Sequence, residues 1–543
     1  QMMMNTPILK YFVSDNYHLQ SPKTLINGEG EIKIEAKETN VAGTQKLLMH
    51  SEEIVTVNSK GTVNAKGQEG TNHTNIAETF TPTDILLDAT CIVQFRPKSN
   101  WKGEFGFDWF RIGDTGLDGD TKYDTLIGQY YTKAISEPTT TRNNNVNLWT
   151  TFFQLDPQPT AFSAYNKLET LKNLYGNYLY SLENDSSGNP VRKRYYRPFI
   201  TLFPRTPDPS NSRKFIEKGE AELELYLEFQ KIDGKEIKPD QVIFEVDGAI
   251  ANNSHPIIRV DKHTIPKGDL KKKIEITLTC NATFNADKDI NVVSIMLDEK
   301  GNEKSRQSAG VLRIIAPTKQ LQKNIVIVRV RTSAGNGRYS GIREFNRNVK
   351  QALIVPNIVE KVTNSKGSLE DIVLDVRKSA DNYNSIDFNT EFGVTGKNLV
   401  NEDGNTINLQ NYLKAELERK YPNQFTNHFK LFFLDNLNDY VKTNLPDGGY
   451  SEASTLGYSN RNTDFGIMFG NHDDSTIGHE CLHGLGLPHS FYGTDYIYKA
   501  LKTDNVMDYS HLTIDKVTGL PSTKLDRVST WYWQWKKVNS NIT

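Results

Sequence analysis

Alternating apolar and polar residues identify the middle of the chain as β-structure. Every second residue from 223 to 229 is leucine or phenylalanine, with glutamate or tyrosine between them, and residues 274–280 alternate in the same way. Such alternation predicts half-buried strands. Further short apolar runs, separated by turn-like clusters, lie at 242–246, 257–260, 292–297 and 311–315. Together they predict a β-sandwich over 213–318, immunoglobulin-like in architecture but without the Cys–Trp–Cys hallmark.

The N-terminal region, 2–205, has a weaker β pattern. Apolar clusters at 32–34, 54–57 and 92–95 predict strands, and the aromatic-rich stretch 101–110 predicts part of a core. Proline and small polar residues at 204–212 interrupt all patterning and predict a domain boundary. We recognise no family in this β-rich region, and a docking role for residues 2–318 stays open.

From residue 320 the pattern changes to a mixture of strands and helices. Apolar runs at 325–330, 372–374, 430–434 and 464–469 predict strands. Apolar residues at intervals of three and four, from Ile342 to Leu353 and from Leu409 to Leu417, predict two amphipathic helices between them. The alternation predicts a third, α+β domain over 320–543.

Composition and charge narrow the class of protein. Hydrophobic residues make up 37% and charged residues 24%, and the net charge is -2. No apolar run is long enough to cross a bilayer, and the charge gives no reason to expect nucleic acid as a partner. Cys91, Cys280 and Cys481 lie far apart and are odd in number. They predict no disulfide framework.

The first residues bear on localisation. Gln1 is interpreted as a tag remnant, and the residues after Met4 contain neither a basic nor an apolar signal-peptide region. We therefore expect no signal peptide. A cytoplasmic location and secretion or injection by a non-Sec route both remain open.

The chemistry of the chain is concentrated in one motif. His479 and His483 are four residues apart, so a helix projects both imidazoles from one face. Glu480 lies beside the first histidine, where its carboxylate can face a water. Gly486 stands where the helix needs a left-handed residue to end, and the turn brings His489 back towards the other two. Three imidazoles that bind one metal ion leave a coordination position open for catalysis.

This pattern resembles the metzincin signature, in which HExxHxxGxxH is followed by a Met-turn. The resemblance covers residues 320–543 and implies that His479, His483 and His489 bind one catalytic Zn²⁺. It implies that Glu480 is the general base and acid of a zinc endopeptidase that acts on protein or peptide substrates.

The residues after the motif refine this resemblance. Met507 would form the Met-turn beneath the metal. Its spacing to Tyr509 resembles astacins and serralysins, in which that tyrosine binds zinc or stabilises the oxyanion. Ser490 is more similar to the matrixin pattern, so the subfamily stays open. By the same resemblance we expect the substrate to lie along an edge strand within 449–459, which includes Ala453, Ser454, Thr455 and Leu456.

Three alternatives stay open beside the peptidase. The histidines could be core residues of an unrelated helix. The zinc fold could have lost catalysis and serve only for binding. Finally, the chain could be an effector or adaptor whose N-terminal domains dock to a secretion or injection apparatus, with the peptidase as its payload.

Several weaker signals have ordinary structural explanations. A glycine-containing acidic loop could hold calcium, but it departs from the EF-hand pattern at Gly116 and Thr125, so a solvated turn is favoured. Its acidic residues are Asp114, Asp118, Asp120 and Asp124. For His472 and His511 we favour ordinary loop positions, and for Cys481 a packed thiol. Trp531, Trp533 and Trp535 could form a carbohydrate platform, but a helix that closes the C-terminal domain is the favoured interpretation.

Overall fold

The computed structural model of the chain describes residues 85–542 with gaps, all within one compact unit, 81–543. The gaps are 118, 128–130, 135–152, 156–163, 177, 189, 233, 378–384, 402–407, 435–436, 445–449, 471, 492–495, 497, 499–501 and 511–524. The described part is β-rich, with 32 strands and seven α-helices. The helices are Tyr123–Leu126, Ala164–Leu174, Ile342–Lys350, Phe388–Glu391, Leu409–Lys420, Asp474–Gly484 and Tyr532–Val538. Single 3-10 turns occur at Lys267–Asp269 and Pro317–Lys319.

One sheet of a β-sandwich is built around the long strand Glu220–Ile232. This strand pairs antiparallel with Lys273–Cys280 on one side and with Cys91–Pro97 on the other. Its predicted apolar face is buried, from Leu223 at 0% exposure to Phe229 at 3%. Strands Ile258–Val260 and Lys235–Ile237 complete the sheet. The alternation in the sequence therefore predicted both the strand and its inner face.

A second sheet packs against the first. Its strands, in order, are Ala249–Ile250, Gln241–Val246, Lys288–Leu297, Glu303–Ile315, Phe199–Thr201 and Gly106–Asp108, and Thr264–Pro266 also pairs with Gln241–Val246. Inner residues of both sheets share one core, where the rings of Phe95 and Phe244 meet edge to face with centroids 6.2 Å apart. The predicted aromatic stretch contributes Trp101 and Trp109 to this core.

The sandwich extends beyond the predicted segment 213–318. Strands Cys91–Pro97, Gly106–Asp108 and Phe199–Thr201 precede the proline-rich segment, yet they hydrogen-bond into the two sheets. The proline-rich segment interrupts the local pattern, but it does not separate the strands before it from those after it. The immunoglobulin-like strand order stays a prediction, and the predicted strands at 32–34 and 54–57 lie outside the described residues.

A main sheet of mostly parallel strands occupies the C-terminal part. Leu321–Thr332 is paired in parallel with Phe429–Leu434, and that strand with Phe465–Phe469. On its other side, Leu321–Thr332 pairs in parallel with Ile354–Val359 and Val373–Asp375. Its end also pairs antiparallel with the short strand Gly335–Asn336. At the far side lies the short strand Gly457–Tyr458, which runs antiparallel to Phe465–Phe469. We call it the edge strand.

The remaining strands form small sheets around these layers. Ile85–Asp88, Tyr178–Asn184 and Pro190–Tyr195 form one sheet, and Val394–Thr395, Asn398–Asn401, Asn438–Asn444 and Tyr450–Thr455 form another. Strand pairs are Tyr131–Ala134 with Phe153–Leu155, Thr206–Asp208 with Asn211–Glu217, and Lys361–Thr363 with Leu369–Asp371.

A second hydrophobic core joins the N-terminal strands to the C-terminal helix. Tyr123 packs edge to face against Tyr498 and Trp531, at centroid distances of 5.2 and 5.9 Å. Phe199 stacks on Tyr532 at 3.8 Å. The three C-terminal tryptophans are buried here, which confirms the predicted closing helix and leaves no exposed platform for a sugar. Among the described helices, none is long and apolar enough to span a membrane.

Candidate metal centre

The helix Asp474–Gly484, which we call the site helix, begins at a strong N-cap. The Asp473 carboxylate accepts a hydrogen bond from the Thr476 backbone N–H at 2.9 Å. The hydroxyls of Ser475 and Thr476 donate to the same oxygen at 2.7 Å each. These bonds satisfy a backbone donor that the first turn leaves without a helical partner.

The three predicted histidines converge. The Nε2 atom of His483 lies 3.1 Å from the Nε2 atoms of both His479 and His489. Gly486 has φ of +99°, the left-handed conformation predicted for the residue that ends the helix and redirects the chain. Within the described residues, these histidines are the group whose ligand atoms could hold one metal ion, all lying within 4.8 Å of one another.

The other ring nitrogens identify which tautomers are present. Nδ1 of His479 lies 2.8 Å from the Val506 carbonyl, and Nδ1 of His483 lies 2.7 Å from the Leu487 carbonyl. A carbonyl can only accept, so each Nδ1 must carry the proton and each Nε2 must present its lone pair. Facing lone pairs repel unless a cation lies between them. Zinc–nitrogen bonds of 2.0–2.1 Å in a tetrahedral site place ligand nitrogens ~3.3 Å apart, close to the observed spacing. The donor set fits a metal ion.

Burial keeps the imidazoles neutral, which is the form that binds a metal. It lowers the pKa of His483 to about 4, and it lowers the pKa values of His479 and His489 well below the ordinary value. The neighbouring histidines and the positive charge of Arg527 lower the latter two further.

Glu480 lies in the same buried region as the histidines. Burial raises its pKa to about 8, opposed by Arg527 and by a hydrogen bond from the backbone N–H of Ser459. The edge strand approaches it closely: a β-carbon placed on Gly457 would lie 2.8 Å from Cγ of Glu480. Only a residue without a β-carbon permits this contact, so Gly457 brings the backbone of the edge strand against the carboxylate.

The position of the edge strand differs from the expectation in detail. Tyr450–Thr455, which contains Ala453, Ser454 and Thr455, pairs with Asn438–Asn444 in a separate sheet. The edge of the main sheet beside Glu480 is formed by Gly457–Tyr458 instead, and the Leu456 carbonyl accepts a hydrogen bond from the Phe469 N–H at 3.0 Å. Order along the chain cannot specify which sheet a short strand joins, because pairing is decided by distant partners.

Residues 505–509, which we call the Met-turn, contact the histidines through the Val506 carbonyl and the Tyr509 ring. Met507 is fully buried, and its backbone N–H donates to Oδ1 of Asn505 at 2.9 Å. Asn505 in turn donates to Gln534 of the C-terminal helix at 2.8 Å. The Met507 carbonyl accepts from the Ser490 N–H at 3.0 Å, which links the turn to the residue after the third histidine.

Tyr509 lies beside the histidines, as the resemblance implied. Its ring centroid is 4.7 Å from that of His489 and 5.7 Å from that of His479. Burial, reinforced by the negative charge of Glu480, raises the pKa of Tyr509. The hydroxyl therefore keeps its proton and can act as a hydrogen-bond donor.

Arg527 completes this centre and was not found from the sequence. Its side chain is only 2% exposed. Nη1 lies 3.5 Å from Nδ1 of His479, and Nη2 lies 3.2 Å from Oδ1 of Asp473. A single arginine 18 residues after Tyr509 carries no local pattern, so nothing in the sequence distinguished it from other arginines.

The weaker candidates have structural roles where they are described. Cys481 is 1% exposed, and burial raises the pKa of its thiol to about 12, in accord with a packed residue. Nδ1 of His472 lies 2.7 Å from the Phe469 carbonyl. His511 lies outside the described residues.

The acidic loop has protein partners for two of its carboxylates. Asp114 forms a bidentate ion pair with Arg96, at 2.6 and 3.1 Å. Asp120 accepts from the N–H and the hydroxyl of Thr115. Asp124 lies in the first turn of the short helix Tyr123–Leu126, and Asp118 lies outside the described residues. The solvated turn stays the favoured interpretation of this loop, with a calcium site as its alternative.

No protein-family model and no curated protein matches the chain. One solved structure, described as WR4, a C. elegans MSP family member, is similar at 15% identity over 21% of this chain and 91% of that chain. The TM-score is 0.13, so this likeness carries no argument about fold or function.

Proposed function

We propose that the chain is a zinc-dependent endopeptidase of the metzincin type, with an α+β zincin fold in its C-terminal part. One observation supports this most strongly. Three imidazole Nε2 atoms face one point, with protonated Nδ1 atoms on two of the rings held by backbone carbonyls. A buried carboxylate, Glu480, follows the first of these histidines.

His479, His483 and His489 would hold the ion. A bound Zn²⁺ would supply Lewis acidity towards water and the scissile carbonyl. The three histidines alone do not distinguish a peptidase from a protein that only binds zinc. The buried glutamate favours catalysis, because a carboxylate beside the metal-binding histidines can accept a proton from water and then return it.

Glu480 would accept the proton of the attacking water and deliver it to the departing amine nitrogen. The close approach of Gly457, whose added β-carbon would lie 2.8 Å from Cγ of Glu480, holds this carboxylate beside the edge strand. Tyr509, kept protonated by burial, would donate a hydrogen bond to the developing oxyanion. The edge strand would bind an extended substrate by backbone pairing, with Tyr458, 37% exposed, available to a substrate side chain.

The test compares the full-length chain with two variants. Glu480→Gln keeps all three imidazoles, so we expect it to retain one Zn²⁺ per chain while hydrolysis of an unfolded protein falls below detection. His483→Gln should lose both zinc and hydrolysis, and a chelator should abolish wild-type activity reversibly. Full activity in Glu480→Gln would refute the assignment. Retention of zinc without cleavage by the wild-type chain, on a broad peptide library, would favour the zinc-binding alternative.

The adaptor alternative predicts that the N-terminal domains act separately from the peptidase. A fragment ending at residue 318 would expose the part of the second core formed by Tyr123 and Phe199, whose partners Trp531 and Tyr532 lie at the start of the C-terminal helix. A binding assay for a docking partner should therefore use the full-length Glu480→Gln chain.

A further inference from the structure

The guanidinium of Arg527 joins two elements that carry the metal centre. On one side Nη2 donates to Oδ1 of Asp473, at 3.2 Å, and to the hydroxyl of Ser475, both at the start of the site helix. On the other side Nη1 lies 3.4 Å from the carbonyl of Asp508 in the Met-turn and 3.5 Å from Nδ1 of His479. One planar group therefore spans the gap between helix and turn.

The spacing between the site helix and the Met-turn determines the positions of the His479 and Tyr509 side chains. His479 projects from the site helix, but its Nδ1 proton is held by Val506 of the Met-turn. Tyr509 directly follows the carbonyl that faces Arg527. A change in the spacing between helix and turn would rotate the His479 ring and move the Tyr509 hydroxyl together. Groups that orient a metal-binding histidine contribute to metal affinity and activity without touching the metal.

Arginine suits this position better than lysine. Its fork presents several N–H donors in fixed directions, so it can serve the carboxylate, the hydroxyl and the carbonyl at once. A lysine ammonium is a compact donor on a flexible stem and cannot hold both sides at fixed spacing. We propose that Arg527 is a positioning residue that fixes the Met-turn against the start of the site helix and so places His479 and Tyr509. This rests on the proposed function.

A purely stabilising arginine is the competing explanation, and Arg96 is the matched control. Its side chain is also 2% exposed, and it pairs with a carboxylate, Asp114, that is 25% exposed, compared with 43% for Asp473. Arg96 lies on strand Cys91–Pro97 of the sandwich, whereas Arg527 contacts the metal centre. Removing either side chain abolishes a similar ion pair, but of these two arginines only Arg527 lies between the site helix and the Met-turn.

The experiment uses full-length Arg527→Met, Arg527→Lys and Arg96→Met chains. Zn²⁺ affinity is measured by competition with a chromophoric chelator, kcat and KM with a cleaved peptide, and thermal stability by circular dichroism. We expect Arg527→Met to weaken Zn²⁺ binding and to lower kcat, each by about 10–100-fold, with KM changed by less than about threefold. Arg527→Lys should recover part of both losses. Arg96→Met should lower the melting temperature to a similar extent while leaving Zn²⁺ affinity and kcat at wild-type values.

Equal effects of Arg527→Met and Arg96→Met on Zn²⁺ affinity and kcat would overturn the proposal, as would wild-type values in Arg527→Met. If Arg527→Met does not fold, Arg527→Lys and Ser475→Ala are used instead to test the proposal. Each of them weakens the link between the site helix and the Met-turn while keeping most of the packing. Wild-type Zn²⁺ affinity in both would refute it. The chelator competition needs no substrate, so it still tests Arg527 if the wild-type chain cleaves nothing and the proposed function fails.

Discussion

The buried ion pair between Arg111 and Asp504 connects the N-terminal strands to the residue before the Met-turn, and we predict its contribution to the free energy of unfolding. Arg111 follows strand Gly106–Asp108 of the sandwich, and Asp504 directly precedes the Met-turn. Nη2 of Arg111 lies 3.0 Å from Oδ1 of Asp504, with the two side chains 1% and 6% exposed. The Ser529 hydroxyl donates to the same carboxylate oxygen at 2.9 Å. We perturb the pair by Arg111→Met, which keeps an apolar stem and removes the charge.

The expected cost is large because the partner stays buried. Removing one member of a buried pair leaves an uncompensated charge and typically costs about 3–5 kcal/mol. Asp504→Asn should destabilise in the same direction, since it leaves the guanidinium of Arg111 without its paired carboxylate. The double variant removes both charges, so its loss should be smaller than the sum of the single losses by on the order of 2 kcal/mol.

The assay is urea unfolding of the full-length, metal-free chain, followed by tryptophan fluorescence and circular dichroism. The matched control is Lys102→Met. Lys102 and Asp526 also join the N-terminal strands to the C-terminal part, but their side chains are 50% and 67% exposed. An exposed pair is worth less than about 1 kcal/mol, because water and salt screen it.

Either of two results would refute this reasoning. If Arg111→Met costs no more than Lys102→Met, the buried pair does not hold the two parts together. If Arg111→Met shifts an early transition and leaves a later one unchanged, the two parts unfold separately, contrary to the shared core.

Two further predictions concern Asp108 in the second core and Gly457 of the edge strand. Burial raises the pKa of Asp108 to about 7, so the folded chain holds this proton more tightly than the unfolded chain. The free energy of unfolding should therefore fall as the pH rises from about 4 to 7, by at most about 4 kcal/mol from this group, and stay level above. Urea unfolding of the metal-free Asp108→Asn chain should show a smaller fall between pH 4 and 7 than the wild-type chain, and an equal fall in both chains would contradict the prediction. Gly457→Ala should lower kcat/KM about tenfold or more, because the new methyl group would lie 2.8 Å from Cγ of Glu480. Gly268→Ala, where a β-carbon meets nothing within 4 Å, is its control, and equal peptide hydrolysis by the two variants would contradict the assignment of the edge strand.

Local patterns in the sequence were sufficient wherever neighbours along the chain decide the structure. The alternation around Leu223 predicted a strand and its buried face, since side chains of a strand point to opposite sides in turn. The spacing of His479 and His483 predicted convergence, because four residues make about one turn of a helix. The need for a left-handed residue after the site helix identified Gly486. These features depend on fixed backbone geometry and need no knowledge of the remaining chain.

Only the tertiary structure decided which distant segments meet. Cys91–Pro97 joins Glu220–Ile232 across more than a hundred residues, and Arg527 reaches the start of the site helix from 54 residues away. Within the predicted range 449–459, only the pairing with the distant strand Phe465–Phe469 shows that Gly457–Tyr458 forms the edge of the main sheet. Strand pairing, shared cores and buried ion pairs are stabilised by partners distant in sequence, and no local period or spacing encodes which partner a segment will find.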